Sequence, residues 1–262
     1  MRASLGATRY HSGRPALRGA VISFLPMHLE RILHSQGFGT RRTCRELIRA
    51  GQVQVGPAPC LDPYADFPTE AFDFVVDGES WRYREHAYLA LNKPPGYECS
   101  HRPLHHPSVF SLLPQPLVTR GVQCVGRLDE DTTGLLLLTD DGPFLHALSS
   151  PRRKIAKVYE VRTRHAVDDA QIAVLLRGVL LHDAPAPVRA AACERLGEAA
   201  LRLTVTEGKY HQVKRMVAAI SNRVEGLKRI QIGQLKLPDD LKVGEWRWLS
   251  ETDLNNLKPI EN

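Results

Sequence analysis

Gly126-Arg127-Leu128-Asp129-Glu130-Asp131-Thr132-Thr133-Gly134 runs directly into Leu135-Leu136-Leu137-Leu138-Thr139-Asp140-Asp141-Gly142. Four consecutive leucines bounded by Gly134 and an Asp-Asp-Gly turn predict a strand buried on both faces, because the run is too short and too abruptly ended for a helix. Asp129 then stands at the rim of a core, ahead of a buried strand. In extended geometry residues two apart share a face, so Arg127 and Asp129 are expected to point into one cleft, where the guanidinium would keep the carboxylate ionised. An ionised carboxylate so placed is a candidate nucleophile or base. Taken alone, an R-x-D triplet would be read as a pair that fixes a loop.

Composition widens the picture. The chain has 262 residues and a net charge of +6, with a pI near 9.2. That length accommodates one large domain and a small one, and the basic excess favours a polyanionic partner. Up to Gly56 the basic residues are Arg2, Arg9, Arg14, Arg18, Arg31, Arg41, Arg42, Arg45 and Arg49, against Glu30 and Glu46 only. Five widely spaced cysteines without a C-x-x-C pair suggest neither a disulfide framework nor a zinc ribbon, and fit a reducing cytoplasm. His101, His105 and His106 crowd a loop between prolines without metal-ligand spacing, and are read as loop residues that touch RNA. No apolar run is long enough to cross a bilayer, so no membrane role is expected.

Leu29, Ile32 and Leu33 follow helical spacing up to a break at Gly37-Phe38-Gly39. A second helix is expected after Thr40 as N-cap, with Cys44, Leu47 and Ile48 inward and Gly51 as its stop. On that helix Arg41, Arg45 and Arg49 fall at i, i+4 and i+8 with Arg42 beside them, so four guanidiniums are expected to face solvent in a row suited to phosphates. Gln52 to Val55 alternates as a strand. Beyond an expected linker near Arg82 to His86, strands are predicted from Tyr88, over Lys157 to Arg162, Leu201 to Thr206 and Gly233 to Leu237. Helices are predicted near Val167 to Arg177 and Tyr210 to Ile220. In the last of these Val213, Met216, Val217 and Ile220 form the inner stripe, and His211, Lys214 and Arg215 share the other side. The class is α+β with a mixed or antiparallel sheet.

The Gly126 to Gly142 string resembles the region around the catalytic aspartate of ribosomal RNA pseudouridine synthases of the RsuA-like, small-subunit type. Three further stretches resemble motifs of that family: Leu91-Asn92-Lys93-Pro94-Pro95-Gly96-Tyr97-Glu98-Cys99-Ser100, Lys157-Val158-Tyr159, and Glu207-Gly208-Lys209-Tyr210-His211-Gln212-Val213-Lys214-Arg215-Met216. The N-terminal order of helix, turn, helix and strand resembles the alpha-L RNA-binding motif. The resemblance implies an alpha-L domain over residues 27–84 and a catalytic domain over 85–262. It begins at Met27, and residues 1–26 are read as a disordered extension.

What the resemblance implies about chemistry is isomerisation of one uridine to pseudouridine without a cofactor. Asp129 would act as nucleophile or as base, and Tyr159 would stack on the target base. Arg127, Lys214, Arg215 and His211 would contact substrate, with Lys214 standing where many relatives carry arginine and reaching either the active-site carboxylate or the target phosphate. The implied partner is 16S rRNA, free or in a partly assembled small-subunit particle, and the implied state is a cytoplasmic monomer. Two rivals are a 23S rRNA enzyme with the same motifs and a non-catalytic assembly factor that keeps the RNA surface. A glycoside hydrolase pair or a metal site built on Asp129 and Asp131 would leave the basic N-terminal module without a purpose.

Overall fold

A computed structural model describes residues 26–182 and 184–257. Apart from residue 26, the extension expected at the N-terminus lies outside the described residues. The four leucines form the centre of a strand, Thr133–Thr139, and each is at most 1% exposed. Leu136 and Leu138 pack into one apolar cluster, Leu135 and Leu137 into another. Alternating side chains thus feed cores on both faces of one sheet, which is why the run is apolar throughout instead of alternating.

That sheet runs in the order Ala192–Gly197, Ala200–Val205, Lys157–Thr163, Val224–Ile232, Thr133–Thr139, Tyr88–Lys93, Trp246–Trp248. The ladders are antiparallel except between Val224–Ile232 and Thr133–Thr139, which run parallel, so the sheet is mixed and the class is α+β. Gly134 makes the parallel contact possible. A Cβ there would lie 2.3 Å from the Arg229 carbonyl oxygen, and the backbone has φ +97°, so only glycine lets the two strands meet.

The strand expected over Gly233 to Leu237 is displaced. Gly233 turns at φ +58° and only Leu235–Lys236 is a strand, whereas the long Val224–Ile232 strand before it went unrecognised. Its sequence holds Glu225, Gly226, Lys228 and Arg229, and its ladder shifts register opposite Val158 and Tyr159. Charges and a bulge together erase the two-residue alternation on which the prediction depends.

Residues 27–83 build a smaller, separate core in which Leu29, Ile32, Leu33, Cys44 and Ile48 pack on Phe74 and Val76. The two helices are Leu29–Ser35 and Arg41–Arg49, and the Thr40 side chain caps the second by accepting from Thr43 N. Truncating one of these fully buried aliphatics to alanine would cost about 2–5 kcal/mol. The segment expected to be a linker is tied down. Arg120 pairs with Asp140 and donates to Gln36 Oε1 (2.8 Å), Arg84 O (2.8 Å) and Glu85 O (2.6 Å). Arg84 in turn lies over the Trp248 ring at 4.5 Å.

Candidate active site

The acidic loop is held from beneath by a buried lysine. Lys93 is 0% exposed, and its Nζ donates to the carbonyls of Pro94 (3.1 Å), Glu130 (2.9 Å) and Thr132 (2.9 Å). Burial pushes its pKa down, but three carbonyl acceptors match the three donors of an ammonium group. Gly96 N also donates to Glu130 O at 2.8 Å. The Leu91 to Gly96 stretch, remote in sequence, is therefore the clamp that shapes the turn behind Asp129.

Asp129 faces a lysine and a histidine from the C-terminal half of the chain. Its Oδ2 lies 3.0 Å from Lys214 Nζ and its Oδ1 lies 3.2 Å from His211 Nε2. Lys214 also meets Asp131 Oδ1 at 2.6 Å. Partial burial works against the Lys214 ammonium, yet its hydrogen bonds to Asp131 and Asp129 and their negative charges outweigh that, leaving its pKa raised. A permanent cation therefore stands against the Asp129 carboxylate.

The expected Arg127 to Asp129 pairing is not the one formed. Arg127 is exposed and lines the same cleft, but it makes no ion pair among the described residues. Residues 125–132 form no strand, and the backbone turns at Gly126 with φ +71°. The shared-face argument holds only in extended geometry, so it fails here.

His211 reaches Asp129 because it is not in the helix. It precedes Gln212–Ala219 in the left-handed region at φ 46°, a conformation that costs a non-glycine residue about 1–3 kcal/mol and clusters at functional sites. Its ring stacks on Tyr210 at 3.7 Å. Val213, Met216, Val217 and Ile220 are buried as expected. Arg215 does not join Lys214 at the carboxylate: its Nη1 donates to Tyr210 O at 3.2 Å.

Beside Asp129 opens a cleft of about 140 Å³. Tyr159, 9% exposed, stands in its wall with Val205 and Leu227, and Lys157 and Arg229 complete the inner side. Lys157 is pushed down to about 8 by burial first and then by the positive charge of Arg229. The cleft role of Arg229 was not anticipated, since the strand carrying it was missed, and the only signal was an arginine flanked by Leu227, Ile230 and Ile232. An aromatic wall beside hydrogen-bonding side chains can receive an unstacked nucleobase.

On the Arg41–Arg49 helix the four arginines diverge. Arg42 pairs with Glu46 at 2.9 Å on the surface. Arg45 turns back to Glu30 at 3.0 Å, where the Glu30 side chain is only 8% exposed. Arg41 and Arg49 are exposed and form no ion pair among the described residues. The expected row of four thus reduces to two free guanidiniums and two engaged ones. Among the described residues no group of three side chains could hold a metal ion. His101 stacks on Phe110 at 3.6 Å, while Glu98 accepts from the backbone amides of His105 and His106. No helix among the described residues is long and apolar enough to cross a membrane.

Comparison with known proteins identifies the family. A family model described as RNA pseudouridylate synthase matches residues 87–219. A Bacillus subtilis protein named "uncharacterized RNA pseudouridine synthase YtzG" is 35% identical over 235 residues, covering 88% of this chain and 98% of that protein. The ribosomal small subunit pseudouridine synthase A of Haemophilus influenzae is 35% identical over 81% of this chain and 86% of its own length. The Escherichia coli protein of that name is 42% identical over 64% of this chain and 72% of its own length. A crystal structure of a pseudouridylate synthase superposes with a TM-score of 0.63 at 33% identity, covering 88% of this chain and 99% of that one. With motifs, sheet and relatives in agreement, this chain belongs to the RNA pseudouridylate synthase family and is an RNA-modifying isomerase.

Proposed function

We propose that this chain isomerises one specific uridine of 16S rRNA to pseudouridine, with Asp129 as nucleophile or base. The observation that carries the proposal is the Asp129 carboxylate fixed between Lys214 and His211 at the mouth of a cleft walled by Tyr159. The relatives named ribosomal small subunit pseudouridine synthase A, at 35–43% identity, support the choice of RNA.

The target uridine leaves its stack and lies against Tyr159, which replaces part of the lost stacking. Asp129 then either attacks C1′ or removes the proton on C2′. In both routes the C1′–N1 bond breaks with its electron pair leaving on uracil. The freed base turns and its C5 bonds to C1′ while the Asp129 oxygen–C1′ bond breaks in the first route or Asp129 returns the proton to C2′ in the second; C5 then releases its proton and N1 takes one up. Both routes start from an anionic carboxylate held in one orientation, which Lys214 and His211 supply. Exposed Arg127 at the rim is placed to meet a flanking phosphate.

Residues 27–84 act in this reading as an alpha-L RNA-binding domain, with Arg41 and Arg49 as its free phosphate contacts. Free 16S rRNA or a partly assembled small-subunit particle is the substrate, and the chain acts as a monomer. The test is conversion in vitro. Purified protein is incubated with 16S transcripts, 23S transcripts and partly assembled small subunits, and pseudouridine is read by chemical tagging. One tagged position in 16S rRNA, absent with Asp129→Asn, is the expected result. A position in 23S rRNA alone would overturn the choice of RNA, and none in any substrate would favour a non-catalytic assembly factor.

A further inference from the structure

The inner wall of the cleft holds a positive charge with nothing to balance it. Arg229 lies opposite Tyr159 in the sheet, on the same face, and is 2% exposed. Its Nε donates to Leu135 O at 2.8 Å, its Nη2 is buried without a hydrogen-bond partner, and it forms no ion pair among the described residues. A buried guanidinium donor without an acceptor is destabilising, and an apolar side chain of similar length would fill the space without that cost. Packing therefore gives no reason for an arginine here.

A second cation stands beside it. Lys157 is two residues before Tyr159 on the same strand, lines the same cleft, and uses one of its three donors on Ile155 O at 3.2 Å. Burial and the nearby Arg229 charge depress its pKa, so the two cations sense each other. The acids of the cleft are engaged elsewhere: Asp129 with Lys214 and His211, and Glu207 with Lys209 at 3.1 Å. Two clustered cations left without an acid form a site prepared for negative charge that arrives from outside.

We infer that Arg229 and Lys157 form a cationic cradle that stabilises the uracil anion while it is detached from the ribose. The inference rests on the reading of this cleft as the site of pseudouridine formation. When the C1′–N1 bond breaks, its electron pair goes to N1 and the charge spreads over O2 and O4, both hydrogen-bond acceptors. When C5 bonds to C1′, C5 gives up a proton and N1 gains one, so the base is neutral again. The anion exists only between those two events. A fixed cation therefore lowers the barrier without tightening the hold on neutral uridine or neutral product.

The test varies the leaving group. Single-turnover rates are measured on 16S transcripts carrying uridine or 5-fluorouridine, following loss of the N-glycoside by nuclease digestion and chromatography. Fluorine withdraws electrons and makes the uracil anion less basic, so its departure depends less on outside cations. Arg229→Met should slow uridine conversion by about 10²–10³-fold, should slow loss of 5-fluorouridine by a factor about tenfold smaller, and should leave RNA affinity unchanged. Lys157→Met, which keeps the Arg229 to Leu135 hydrogen bond, should show the same bias toward 5-fluorouridine, and Arg229→Lys should restore part of the rate. A merely structural Arg229 would slow both RNAs equally. Equal slowing, or none, with an active wild-type protein overturns this inference alone, whereas a wild-type protein that converts no uridine of either rRNA overturns the functional reading beneath it.

Discussion

In the Arg41–Arg49 helix the cations lie on a solvent-facing side, with Arg41 and Arg49 free of ion pairs among the described residues. In the Gln212–Ala219 helix the corresponding charge, Lys214, is folded onto Asp129 and Asp131. As sequence the two are the same signal, basic residues at helical spacing opposite an apolar stripe. They differ in what stands across from them. Among the described residues the first helix finds only Glu30 across from it, which engages Arg45, while Arg42 pairs with Glu46 of the same helix; the second meets the acidic loop ahead of the buried leucine strand. In the function proposed above, free cations supply affinity for phosphate, whereas cations committed to a carboxylate hold the reacting group.

If that division is right, the two rows fail differently. Lys214→Met should lower the single-turnover rate by about 10²–10³-fold and leave the salt dependence of RNA binding unchanged. A lowered salt slope would place Lys214 on a phosphate instead.

A smaller effect is expected from pH. Lys157, opposite Ile232 on the neighbouring strand, feels the Arg229 charge, and the cleft it lines also holds Arg127, Asp129, Glu207, Lys209, His211 and Lys214. Its pKa of about 8, against an ordinary 10.5, means that the cradle loses one cation as pH rises through about 8. The rate should fall across that window and become flat in Lys157→Arg. The Lys157 titration does not itself promote unfolding in this window. Between about 8 and 10.5 the unfolded chain binds more protons at this lysine than the folded one, so its contribution to stability rises with pH.

Smallest in rate are the changes on the first helix. Arg41→Gln with Arg49→Gln should reduce the salt slope of binding by about 2 and leave the rate at saturating RNA unchanged. Arg45→Gln should hardly move the slope and should instead cost about 1 kcal/mol of stability, since it strands Glu30. Equal salt effects from all three positions would restore the simpler picture of one solvated row.

How much of this was legible in the sequence follows the same physics. The Thr133–Thr139 strand was plain because burial on both faces demands an unbroken apolar run, and the Arg41–Arg49 helix was plain from its cap and inner stripe. The position of Asp129 at the edge of the cleft was legible from its place ahead of that strand. The Val224–Ile232 strand was not, since a bulge and a buried arginine occupy the positions that alternation would fill with apolar residues. Of the partners of Asp129, the resemblance named Lys214 as a contact of the carboxylate or of the target phosphate, and His211 only as a contact of substrate. Spacing assigns a residue to a face, but Lys214 and His211 reach the loop across more than eighty residues, and His211 does so from a left-handed backbone that no pattern announces. The three carbonyls gathered by Lys93 are hidden for the same reason: backbone acceptors leave no trace in side-chain sequence.

The central claim is that this chain makes one pseudouridine in small-subunit rRNA through Asp129. It is tested most directly by mapping pseudouridine across 16S and 23S rRNA from cells that lack the protein and from cells complemented with the native chain or with Asp129→Asn. Loss of a single 16S position, restored by the native chain and not by the variant, is the predicted result. Restoration by Asp129→Asn, or unchanged maps in both RNAs, would contradict it.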